Sequence, residues 1–105
     1  MTRSVALQPK AESDIENTFR YLTRESSISV ADRFLDQTFL SFNDIAAMPG
    51  IGTTVDSKRL TSLRRWRVKE FQKYLIFYFF DDATVSIVRV LHGARDIVAI
   101  PDEPD

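Results

Sequence analysis

Leu63-Arg64-Arg65-Trp66-Arg67-Val68-Lys69-Glu70-Phe71 opens a run of three segments. It is followed by Tyr74-Leu75-Ile76-Phe77-Tyr78-Phe79-Phe80 and, after Asp81-Asp82, by Thr84-Val85-Ser86-Ile87-Val88-Arg89-Val90-Leu91. In the first segment Trp66 and Val68 alternate with Arg65, Arg67 and Lys69, a period of two that sets one group on each face of a strand. The second is apolar at every position, as befits a central strand covered on both sides or flanked by neighbours. The third is a near-continuous β-branched run. Short connections join all three, so they predict a β-meander.

Upstream, residues 3–8 alternate polar and apolar and predict one further short strand. Pro9 suits the first turn of a helix, where its missing N–H has no intrahelical partner to lose. The helix it opens places Ala11, Ile15, Phe19 and Leu22 on one stripe and Glu12, Glu16, Arg20 and Arg24 on the other, ending near Glu25. Ser29 and Asp32 have the spacing of a capping box for a second helix that runs to Met48. Its apolar face is wide: Ala31, Phe34, Leu35, Thr38, Phe39, Phe42, Ile45 and Ala46. Pro49-Gly50 stops it. Gly50-Ile51-Gly52 has glycines but no preceding strand, so it reads as a left-handed exit from the helix and not as a phosphate loop. Residues 50–62 form a polar loop. The expected architecture is α+β in the order β-α-α-β-β-β, a helical hairpin packed on a mostly antiparallel four-stranded sheet. Residues 1–105 are expected to form one domain whose acidic end, residues 101–105, frays.

Composition excludes several functional classes. The chain has 105 residues, no cysteine and one histidine, which removes thiolate chemistry and makes a zinc site a poor fit. No metal and no cofactor are expected. The N-terminus lacks the apolar run of a secretory signal, and the longest apolar stretch is far short of the roughly 20 residues that span a bilayer. The expected location is the cytoplasm. The formal net charge of −1 conceals segregation: residues 49–80 carry +5 and residues 81–105 carry −4. Such a basic third points to an anionic partner.

Two surfaces are candidates for binding. Arg65, Arg67 and Lys69 project together with Lys58, Arg59, Arg64 and Lys73 nearby, a set of like charges that repel one another. Lysine and arginine on an edge strand also discourage edge-to-edge pairing, which is the plainer explanation. The second surface is the surplus apolar edge of the helical hairpin, since a sheet covers only one side of it. Metal-independent RNA cleavage needs an acid, a base and cations on the scissile phosphate, for which His92, Arg89, Arg95, Lys69 and Tyr74 are the candidates. A lone histidine before glycine also fits a hydrogen-bonded turn.

Several pieces now stand in order: Pro9-x-Ala11 with Asp14-Ile15, Ala31-x-Arg33-Phe34, Met48-Pro49-Gly50-x-Gly52, Leu63 to Val68, Phe71, Tyr74 to Tyr78, and Arg89 to Asp96. Together they resemble the ParE branch of the RelE/ParE superfamily of bacterial toxins. The resemblance implies a toxin neutralised by a ParD-type antitoxin that wraps it with a helix and an extended segment. The expected antitoxin-binding residues are Phe34, Leu35, Phe39, Phe42, Arg65, Arg67 and Lys69. Arg64, Lys73, His92 and Arg95 are the candidates for contact with the target, which the resemblance implies is DNA gyrase. Inhibition is then by binding and not by catalysis. The alternative is a RelE-like ribosome-dependent mRNA endonuclease using His92, Arg89, Arg95 and Lys69, and a second is a non-toxic protein-binding module. The segment Ile97–Asp105 lacks a tyrosine and is acidic, which would repel RNA phosphate, and the His92–Asp96 stretch favours the gyrase branch.

Overall fold

The computed structural model describes residues 2–55 and 63–94. Strand β1 (Ser4–Leu7) leads into helix α1 (Pro9–Glu25) and helix α2 (Ile28–Ala47). A single 3-10 turn over Pro49–Ile51 follows, then β2 (Thr53–Thr54), β3 (Arg64–Val68), β4 (Phe71–Phe80) and β5 (Thr84–His92). The sheet order is β1-β5-β4-β3-β2. β1 runs parallel to β5, and the other pairings are antiparallel. This is the expected α+β fold with one addition. The two-residue β2 makes a fifth strand, pairing Thr53 with Arg65 and Thr54 with Arg64, too short to register as a period.

Local chemistry explains where the elements begin and end. Pro9 sits in the first turn of α1 as expected. The cap of α2 is Ser27 and not Ser29: the Ser27 hydroxyl accepts from Val30 N at 3.1 Å, and the helix starts at Ile28. Pro49-Gly50 does end α2, but no glycine among the described residues has a positive φ, which corrects the expected left-handed exit. Gly52 is required for another reason. A Cβ there would lie 2.5 Å from Tyr78 Oη and 2.6 Å from the Arg65 carbonyl oxygen, so this backbone approaches its neighbours closer than any side chain permits.

The basic strand is shorter than its alternation suggests. β3 stops at Val68, and Lys69-Glu70 is the turn into β4, which begins at Phe71 and not at Tyr74. Two contacts set that boundary. Lys69 N donates to the buried Ser41 hydroxyl at 2.8 Å, and Glu70 adopts φ 67° to reverse the chain. Arg67 pairs with Leu75 while Val68 pairs with Phe71, so β4 bulges over residues 72–74.

The apolar character of both faces of β4 has a direct cause. Tyr74, Ile76 and Tyr78 enter the main core with Ala11, Ile15, Phe34, Phe42, Ile45, Val85, Ile87 and Val90. Leu75 and Phe77, on the opposite face by alternation, join Leu63, Leu91, Val55 and Val88 in a second cluster. Val55 N donates to the Leu63 carbonyl at 2.9 Å and closes the segment carrying both residues. Burying Phe77 and Leu91 contributes about 1.5–3 kcal/mol each. On α1 the stripe holds Ala11, Ile15 and Thr18 buried, with Phe19 and Leu22 only half-buried.

Beyond Leu7, where β1 ends, β5 has no further partner strand on that edge among the described residues, and a side chain meets it there. Asp14 Oδ2 accepts from Val90 N at 3.0 Å and from Arg89 Nε at 2.8 Å, while Asp14 Oδ1 accepts from Arg89 Nη2 at 2.9 Å. Helix α1 thereby satisfies the edge amide that β1 leaves exposed.

Candidate functional site

The bulge in β4 and the turn at Lys69-Glu70 leave an open groove of about 870 Å³ beside β3. Arg65, Arg67, Lys69 and Lys73 line it together with Asp44, Glu70, Trp66, Leu75, His92 and the last described residues, Gly93 and Ala94. Gly93 N donates to the Lys73 carbonyl at 2.7 Å, which brings the end of β5 against the bulge. The basic strand thus becomes one wall of a concavity, which a solvated edge does not require.

The charges in the groove divide into paired and unpaired. Lys69 Nζ lies 3.4 Å from Asp44 Oδ2, and Glu70 Oε1 lies 3.5 Å from Arg33 Nε across the rim. Arg65, Arg67 and Lys73 make no ion pair with any described residue. Lys69 therefore belongs to the groove but is partly neutralised, and it comes from the turn, a correction to its place on the strand.

Other candidate residues are held elsewhere. Arg64 Nη1 donates to the Gly52 carbonyl at 2.6 Å, and its guanidinium lies over the Phe80 ring at 5.9 Å. Tyr78 completes this clamp: its hydroxyl donates to the Pro49 carbonyl at 2.6 Å and accepts from Gly52 N at 2.9 Å. Burial pushes the Tyr78 phenol pKa up, offset in part by the Gly52 N–H and by Arg64. Arg64 therefore braces the turn after α2. Arg89 is tied to Asp14, with side chains only 19% and 11% exposed, so its cation faces α1 and not the groove. Tyr74 is buried, and His92 stands opposite it with the rings edge to face at 5.1 Å. Arg95, Lys58 and Arg59 lie outside the described residues.

The apolar candidates on α2 separate sharply. Phe34 and Phe42 are core residues, 0% and 3% exposed, and Leu35 packs half-buried against them. These two phenylalanines have no surface to offer a partner in this fold, which corrects their expected role. Phe39 alone of the four is exposed, at 47%, braced edge-on against Phe42 at 5.5 Å. Leu40 and Met48 are exposed as well and were not in the expected stripe. Leu40 escapes a periodicity reading because it follows Phe39 directly, off the buried line of positions 31, 34, 38, 42 and 45. Among the described residues, no helix is long and apolar enough to cross a membrane. No group of three or more His, Asp or Glu among them could hold a metal ion.

Known proteins give a consistent picture. A family model described as the ParE toxin of the type II toxin–antitoxin system parDE matches residues 5–97. The fold is similar to a structure of the chromosomal ParDE toxin–antitoxin system of Pseudomonas aeruginosa, with TM-score 0.71 at 11% identity over 87% of this chain and 96% of that one. It is also similar to the RelBE2 toxin–antitoxin complex of Mycobacterium tuberculosis, with TM-score 0.60 at 20% identity, covering 88% and 99% of the two chains. The YoeB dimer of Staphylococcus aureus aligns with TM-score 0.50 at 18% identity, covering 86% and 95%. No curated protein sequence matches the chain significantly.

Proposed function

The chain belongs to the ParE toxin family of type II toxin–antitoxin systems, and on that premise we propose that it inhibits DNA gyrase by binding and is neutralised by a ParD-type antitoxin. The family match over residues 5–97 carries this reading. The groove supports it: Arg65, Arg67 and Lys73, which make no ion pair with a described residue, form a cationic wall suited to an acidic extended segment of an antitoxin. Phe39, Leu40 and Met48 on and just after α2 offer apolar anchors for the antitoxin's helix. Two of the nuclease candidates are held away from the groove's surface, which favours binding over hydrolysis. Arg89 is engaged by Asp14, and Tyr74 is buried beneath His92.

The test is a gyrase supercoiling reaction with the purified chain. Inhibition, or accumulation of cleaved DNA held by gyrase, is the expected result, and no effect at large excess over gyrase overturns the proposal. Message cut in a translation reaction, and spared by His92→Ala, supports the endonuclease alternative instead. Harmless induction in a bacterial host without antitoxin supports the non-toxic binding module.

A further inference from the structure

We infer that Asp44 and Glu70 set the specificity of the groove, admitting an extended peptide with spaced carboxylates and turning away nucleic acid. The inference rests on the proposed function, in which the groove takes an acidic antitoxin segment, and names the residues that keep a different polyanion out. Four cations line the groove, Arg65, Arg67, Lys69 and Lys73, together with two acids, Asp44 and Glu70. They are not evenly mixed. Arg65 and Arg67 stand on β3 and Lys73 in the bulge of β4, and none of the three makes an ion pair with a described residue. The acids lie beyond the end of β3 at Val68, Asp44 on α2 and Glu70 in the turn. Each holds one cation of the rim: Asp44 Oδ2 lies 3.4 Å from Lys69 Nζ, and Glu70 Oε1 lies 3.5 Å from Arg33 Nε. The groove is therefore cationic along β3 and close to neutral where it meets α2.

That polarity separates two classes of anion. An extended peptide points every second side chain to one face, about 6.6 Å apart. Its carboxylates can oppose Arg65 and Arg67 while uncharged side chains pass the acids. A nucleic-acid strand carries a phosphate on every nucleotide and can omit none. Wherever it runs past Asp44 or Glu70, a phosphate meets a carboxylate, and the repulsion offsets what Lys69 and Arg33 would contribute. Both rim pairs are solvent-exposed, so they add little to the stability of the fold. Their consequence is for the ligand. For a single strand, log affinity falls with log salt at a slope of about −0.7 per neutralised phosphate, so the three unpaired cations give about −2. Releasing Lys69 and Arg33 raises the count to five and steepens the slope to about −3.5.

The test titrates two labelled probes into the full-length chain and its Asp44→Asn/Glu70→Gln variant by fluorescence anisotropy over a range of salt. One probe is a single-stranded oligouridine, the other a peptide of alternating glutamate and serine. In the variant, oligonucleotide affinity at low salt is expected to rise at least fivefold, with a slope of about −3.5 against about −2 for the unaltered chain. Binding too weak to measure in the unaltered chain and gained in the variant is the same result at its extreme. The gain for the peptide is expected to be at least threefold smaller than that for the oligonucleotide. Asp44→Asn alone is expected to give an intermediate slope of about −2.8. A slope of about −3.5 for the unaltered chain overturns the inference, whatever the variants do. So does an oligonucleotide gain below fivefold in a variant whose thermal unfolding matches that of the unaltered chain. Equal gains for the two probes overturn it as well, because the acids would then repel any anion alike. Neither gyrase nor antitoxin enters this titration, so the inference and the proposed function fail separately.

Discussion

Asp14→Ala removes the carboxylate that meets the edge of β5 beyond β1, and its effect follows from the contacts it makes. Three hydrogen bonds disappear at once, two to the Arg89 guanidinium and one to Val90 N. Arg89 then loses both of these bonds on a side chain that is mostly buried. Removing one partner of a buried pair costs about 3–5 kcal/mol, and the 19% exposure of Arg89 argues for the lower end. We expect about 3 kcal/mol, a large share of the roughly 5–15 kcal/mol that stabilises a domain. Urea unfolding read by circular dichroism should show the midpoint fall by about 1.5 M if the slope is near 2 kcal/mol/M. Asp14→Asn keeps an acceptor for Val90 N and should cost about half as much. In an Arg89→Met background only the Val90 bond remains to be lost, so the double-mutant cycle should give a coupling of about 2 kcal/mol. A loss below about 1 kcal/mol for Asp14→Ala, or a coupling near zero, would refute the claim that this pair seals the edge of β5.

Other perturbations test the turn, the clamp and their pH response. Gly52→Ala should destabilise by about 2 kcal/mol in thermal or urea unfolding. It should still destabilise in a Tyr78→Phe background, because the Arg65 carbonyl remains 2.6 Å from the new Cβ. Glu70→Gly should stabilise by about 0.5–1 kcal/mol, since glycine adopts φ 67° freely and only an exposed contact with Arg33 is lost. The raised pKa of Tyr78 means that the neutral phenol is favoured in the folded state. Its contribution is present below the ordinary tyrosine pKa near 10 and is lost as pH rises through the folded value. Stability should therefore fall in the alkaline range, and less so in Tyr78→Phe. Asp81 has the opposite sign. Backbone N–H groups of Ala83 and Thr84 hold its carboxyl below the usual range, so its contribution is lost as pH falls through that lowered value. Asp81→Asn should flatten the acid limb of the unfolding profile.

The elements that carry a period were legible in the sequence. Alternation in residues 64–68 and 3–8, the stripes of α1 and α2, and Pro9 as a helix opener all mark what the chain forms. Boundaries set by single long-range contacts were not. Ser41 Oγ ends β3 by capturing Lys69 N from 28 residues away, and no local pattern announces it. Tyr78 and Gly52 are 26 residues apart, so their mutual fit appears only once β4 lies beneath the turn after α2. The site was legible in part. Arg65 and Arg67 were read as one exposed basic face with Lys73 nearby, and all three line the same concavity. Arg64 and Arg89 looked equivalent to their neighbours because composition cannot tell a free cation from one braced on a carbonyl or a carboxylate. Phe34 and Phe42 were assigned to a partner on the same stripe as Phe39. Only the packing of α2 on the rest of the fold shows which of the three is covered.

The central claim, that the groove built around β3 is where an acidic antitoxin segment docks, is tested most directly by one titration. The chain and its Arg65→Glu/Arg67→Glu variant are each titrated with the cognate ParD-type antitoxin at two salt concentrations, with gyrase inhibition measured on the same samples. Both arginines are exposed and make no ion pair with a described residue, so the variant should fold normally. The account predicts that antitoxin affinity falls at least tenfold, about 1.4 kcal/mol, and loses most of its salt dependence, while gyrase inhibition is retained. Unchanged antitoxin affinity at both salt concentrations would contradict it.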